Sequence, residues 1–155
     1  MNALRQRQAV INDEQLFSEK EKRYLGRARI DIKSLQFEID HTNASQFTNA
    51  KVVKKLAQKF ALEGCHRLDE EHHVSALISP AVLQIAIQKS GISVGDLRTV
   101  GYPQKLEIPQ ATPLNCLYGR HRLQAAKGIL PPEDEWWVTE LYSDGWLFLF
   151  FLDRI

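Results

Sequence analysis

NCLYGRHRLQAAKG, residues 115–128, carries three signals in succession. Cys116, Leu117 and Tyr118 are apolar enough to end a buried strand, Gly119 breaks the pattern with a sharp turn, and a helix follows at once. Arg120, His121 and Arg122 fall in the first turn of that helix, where unpaired backbone N–H groups and the positive end of the helix dipole already raise the potential. Cations there are unfavourable unless an anion binds. A strand, a glycine turn and a cation-loaded helix N-terminus together predict a phosphate cradle.

On the helical wheel Leu123 and Ala126 point one way, with Arg122 between Ala126 and Ala125, while Arg120, Gln124 and Lys127 share the other side. Small side chains at 125 and 126 let the helix approach a sheet closely. An inward-leaning Arg122 needs an acceptor, either a carboxylate or carbonyl of the protein or the phosphate of a ligand. No acidic residue lies between Glu107 and Glu133, which favours the ligand. The competing reading is a surface helix whose arginines are simply solvated.

These residues resemble a superfamily pattern, Gly-x-His/Arg-Arg-x-x-Ala after a strand, shared by the ParB N-terminal domain, sulfiredoxin and related small-molecule kinases. Gly119, His121, Arg122 and Ala125 match it. In ParB proteins the segment holds the triphosphate of CTP, and in sulfiredoxin it holds ATP phosphates beside a catalytic cysteine that immediately precedes the histidine. Arg120 stands in the cysteine's place here. The resemblance implies nucleotide binding and argues against sulfinic-acid reduction at this motif.

A chain of 155 residues with 44% hydrophobic content suits one domain with a sizeable core. Twenty basic and 19 acidic residues leave a net charge of +1, so any DNA contact would depend on a local patch. Cys65 and Cys116 are too few for a disulfide scaffold. Two cysteines behind a polar start, with no apolar leader, lead us to expect an intracellular protein, nuclear or cytoplasmic. The longest apolar run, Gly145–Leu152, is far too short to span a bilayer.

In chain order, residues 1–22 read as an N-terminal extension with a weak amphipathic helix over Asn12–Lys22, packed on the domain edge and closed by Tyr24-Leu-Gly26. Arg27–Phe37 alternates as a half-buried strand, and Asp40–Gln46 reads as a loop. Thr48 or Asn49 caps a stronger helix that ends at Gly64, with Val52, Val53, Leu56, Ala57 and Phe60 opposite a lysine face. Lysines keep a helix soluble, and they also suit DNA. Ser79-Pro80 starts a buried helix running to Gly91, with Leu83, Ile85, Ala86 and Ile87 in the core. Arg98–Pro113 is an irregular connection anchored by Leu106 and Ile108, and Trp136–Tyr142 is an aromatic strand returning to the sheet.

Gly64-Cys-His-Arg67 spells the sulfiredoxin core in the wrong context, since it follows a helix and leads through Asp69, Glu70 and Glu71 toward the segment His73–Ile78. That placement resembles instead the helix-to-strand glycine turn of the ParB-type domain, which implies pocket roles for Gly64 and Arg67. Cys65, His66, His72 and His73 are metal-ligand types, but their spacing fits no structural zinc pattern.

The wider pattern, from Tyr24-Leu-Gly through the two glycine motifs to Trp136–Tyr142, resembles the ParB-like N-terminal part of a large fungal family of unknown function, over about residues 23–143. Residues 144–155 depart from it as an apolar tail and point to a truncated product. The expectation is an α+β domain of the ParB/sulfiredoxin type, a small mixed sheet with flanking helices. It would bind a nucleoside triphosphate (CTP or ATP, with or without magnesium) or another phosphate ligand through Gly119, Arg120, His121 and Arg122, with Gly64 and Arg67 closing the other side. DNA-associated work is implied by the ParB resemblance alone. The rivals are phosphotransfer or nucleotide hydrolysis using Asp69, Glu70 or Glu71, a thiol chemistry at Cys65, and a non-catalytic interaction module or remnant.

Overall fold

In the computed structural model, which describes residues 3–37 and 49–144, four helices flank one five-stranded mixed sheet, an α+β fold as expected. The chain runs α1 (Ala3–Arg23), β1 (Tyr24–Asp31), β2 (Leu35–Gln36), α2 (Ala50–Glu63), β3 (Val74–Ile78), α3 (Pro80–Ser90), β4 (Leu114–Cys116), α4 (Arg120–Lys127) and β5 (Trp136–Ser143), with short 3₁₀ turns between. The strand order is β1-β5-β3-β4-β2. β1 pairs antiparallel with β5, β5 parallel with β3, β3 antiparallel with β4, and β4 parallel with β2.

The alternation read at Ile30 and Ile32 is real, and both side chains are fully buried. The expected single strand over Arg27–Phe37 nevertheless breaks at a 3₁₀ turn, Ile32–Ser34, and its two parts lie on opposite edges of the sheet. Period-two burial marks a strand but not its partner, so this edge switch has no local signature. Tyr24 and Gly26 begin β1 instead of closing the preceding helix. Gly26 forms a bulge at φ 132°, and a Cβ there would collide with the Leu97 backbone, which crosses at this point.

α1 begins at Ala3, well before the expected Asn12, because Leu4–Ala9 are good helix formers with no Gly or Pro to stop them. Asn12 is interior and accepts a hydrogen bond from Gln8 Nε2 at 3.0 Å. None of its residues is buried, so it is not packed along the domain edge as read; contact with β5 is slight.

The other helix signals hold. Asn49 caps α2, Gly64 ends it, and Ser79 caps α3 with Pro80 in the first turn. Ile85 is the exception: it is 52% exposed, because α3 rests on the sheet through Leu83 and Ala86. Trp137 is completely buried, with its ring 6.0 Å from Phe60 and its Nε1 donating to the His72 carbonyl at 2.8 Å. The expected loop Asp40–Gln46, the alternative cap Thr48 and the tail from Gly145 lie outside the described residues.

Candidate functional site

β4 delivers the chain to the cradle. Beyond its last paired residue, the Leu117 N–H donates to the Ser75 carbonyl at 2.8 Å, which holds the strand end against β3. Gly119 then turns at φ 96° and serves as the N-cap of α4, and a Cβ there would run into Val74 Cγ1. Both the left-handed backbone and the close approach to β3 therefore require glycine. Ala125 and Ala126 are buried under α4, letting it sit against the sheet as their size suggested.

The first turn of α4 has no side-chain cap. Its first internal hydrogen bond is Leu123 N–H to the Gly119 carbonyl at 3.0 Å, and among the described residues the N–H groups of Arg120, His121 and Arg122 have no protein acceptor. The Arg120 guanidinium lies 5.2 Å from the centre of the Phe37 ring. Arg122 is partly buried and, among the described residues, neither arginine is paired with a carboxylate.

His121 reaches across to a second helix. Its Nε2 accepts the Asn49 N–H at 3.0 Å, so that nitrogen carries no proton and the ring's remaining donor is Nδ1. Asn49 Oδ1 in turn accepts from the N–H groups of Lys51 (3.0 Å) and Val52 (3.4 Å). The N-termini of α2 and α4 thus meet at one place, and neither first turn contains an acidic residue. Two positive dipole ends therefore meet, with Lys51, Arg120 and Arg122 in their first turns and no acidic residue in either. The Asn49 cap is legible in sequence, but its meeting with His121, 72 positions on, is not.

Gly64 and Arg67 are placed differently. Gly64 is the C-cap of α2, at the far end of a helix about 21 Å long from the Asn49 contact. Arg67 is occupied within the fold: Nη1 donates to the carbonyls of Asp134 (2.7 Å) and Trp136 (3.0 Å), Nη2 donates to Asp134 Oδ2 (2.9 Å), and the guanidinium stacks 3.4 Å from the Trp136 ring centre. Partial burial works to raise the Asp134 carboxyl, but hydrogen bonds from Arg67 and from Trp136 Nε1 outweigh it and hold that carboxyl below its usual range.

The Gly-Cys-His-Arg thiol is not activated, because burial raises Cys65 despite the neighbouring Arg67. Burial pushes the Cys116 thiol up to about 12. Asp69, Glu70 and Glu71 are exposed at a 3₁₀ turn before β3, where Asp69 lies 3.6 Å from His66 and Glu71 lies 3.8 Å from His72. Among the described residues no three His, Cys, Asp or Glu side chains are grouped to hold a metal.

A second polar cluster had no sequence signal, because Glu140 lies 67 positions from His73 and 116 from Tyr24. His73 Nδ1 is 2.8 Å from Glu140 Oε1, and Tyr24 OH donates to Glu140 Oε2 at 2.5 Å. Burial, then the bond to Glu140, keeps the Tyr24 phenol protonated well beyond its ordinary range. His73 also lines a cleft of about 230 Å³ with Arg27, Leu68, Gly101, Tyr102 and Pro103.

A family model described as "Protein of unknown function (DUF3723) N-terminal domain" matches residues 23–148. No curated protein and no solved structure matches the chain.

Proposed function

The chain belongs to this DUF3723 N-terminal family, and from that premise we propose that it binds a phosphate-bearing ligand, a nucleoside triphosphate such as CTP or ATP, where α4 and α2 meet. One observation supports the reading above the others: two helix N-termini meet through Asn49 and His121, their first turns carry Lys51, Arg120 and Arg122, and neither contains an acidic residue. Such a place is electrostatically costly when empty and is relieved by an anion. In this reading the N–H groups of residues 120–122 hold phosphate oxygens, Arg122 and Arg120 neutralise them, and His121 ties the two helix ends together. The likeness of Gly119, His121, Arg122 and Ala125 to the ParB motif points the same way. In this reading Arg67, bonded to Asp134 and Trp136, supports the start of β5 and takes no part in binding. Magnesium would enter on the phosphate oxygens.

The test is thermal unfolding of the purified chain with CTP, ATP, GTP and tripolyphosphate, with and without magnesium, beside Arg122→Ala. A ligand at a hundredfold excess over its Kd adds about 2.7 kcal/mol, or roughly 5–10 °C for a domain of this size. The expected result is stabilisation by a triphosphate that falls sharply in Arg122→Ala. Equal stabilisation by tripolyphosphate and all nucleotides would reduce the ligand to the phosphate chain. No shift with any of them, in a chain that melts cooperatively, would remove the proposal.

A further inference from the structure

α1 is 21 residues long with no buried residue, yet it carries an apolar stripe. Leu4 is 73% exposed, Val10 56%, Ile11 52% and Phe17 66%. Helical spacing places these four within one arc, with Arg7 and Glu14 between them, while Leu16 lies on the other side. The core of the domain covers none of these four side chains.

We propose that α1 pairs antiparallel with α1 of a second copy of this chain, with Val10 opposite Ile11 of the other copy. This register follows from self-complementarity. It sets Leu4 opposite Phe17, Val10 opposite Ile11 and Arg7 opposite Glu14, and the two-fold axis repeats each contact. The parallel in-register alternative would set Arg7 against Arg7 and Glu14 against Glu14, which repel. Antiparallel pairing also leaves the two domains at opposite ends of a helix pair about 31 Å long, clear of each other. The four apolar side chains expose on the order of 400 Å² per copy, so a pair buries roughly 800 Å² before its polar flanks, against about 1,200 Å² for a stable interface. Gln6, Arg7, Glu14 and Ser18 supply the remainder, and the dimer is accordingly concentration-dependent.

Sedimentation velocity of the full chain over a micromolar range tests this independently of any ligand. The expected mass rises from 17.8 kDa toward twice that value with concentration. Arg7→Glu and Glu14→Arg should each raise the dimer Kd about tenfold or more, and the double reversal should restore it. Neither residue is packed in the domain, and circular dichroism checks that the variants fold. A chain that stays monomeric throughout overturns the proposal. So does association that both single reversals leave unchanged, which would place it outside α1. A double reversal that fails to restore pairing refutes the register.

Discussion

Two arginines with similar sequence credentials have opposite fates. Arg67 makes three hydrogen bonds and a stacking contact with residues 134–136, whereas Arg122 faces no carboxylate among the described residues. The first is spent on holding the 3₁₀ turn Pro132–Asp134 and the start of β5; the second is the one the proposed function assigns to a phosphate. Arg67→Ala should cost about 2–3 kcal/mol, the scale of lost charge-assisted bonds and a lost stack, with triphosphate binding unchanged. Acid should expose the Asp134 half of the pair. Its folded pKa is depressed, so its contribution is complete above the ordinary value of 3.8 and fades as pH falls through the lower folded value. Urea midpoints of wild type and Asp134→Asn should therefore differ at pH 6 and converge as the pH is lowered well past 3.8; a constant gap would mean that the charge plays no part.

At the scale of elements, the proposed site is a junction. α4 supplies the cations and N–H groups, β3 sets its position through the tight contact of Val74 with Gly119, and α2 brings a second positive helix end held by His121. Asn49 is the hinge between local and tertiary roles, since its side chain caps α2 while its N–H is bound by His121. Asn49→Ala should cost about 1 kcal/mol in urea denaturation through the lost cap. If the junction is the binding site, triphosphate affinity should also fall several-fold, because α2 then frays beside the ligand. Unchanged affinity would confine binding to α4.

At the scale of the whole molecule, what could be read in sequence was what is local. Gly119 and the α4 periodicity, the Asn49 and Ser79 caps, and the aromatic run of β5 each carry their signal within a few residues. What could not be read was pairing across distance. The switch of Arg27–Phe37 between two sheet edges, the capture of Arg67 by Asp134 and Trp136, and the Tyr24–Glu140–His73 cluster all join segments that no short window contains. Ile85 was misplaced for a related reason: a helix pattern offers an apolar arc, and only the sheet decides which part of it is covered. At the start of α1 the plain helix propensity of Leu4–Ala9 prevails over the capping signal at Asn12. Among the described residues no helix is long and apolar enough to cross a membrane.

The most direct measurement is amide NMR of the isotopically labelled chain during titration with tripolyphosphate and then with CTP. The N–H signals of Arg120, His121 and Arg122 should move together with those of Lys51 and Val52, saturating at one common Kd, while the Arg67 side-chain signals stay still. Binding that shifts residues around Arg67 instead, or leaves residues 120–122 unmoved, would contradict a phosphate site at the meeting of the two helix ends.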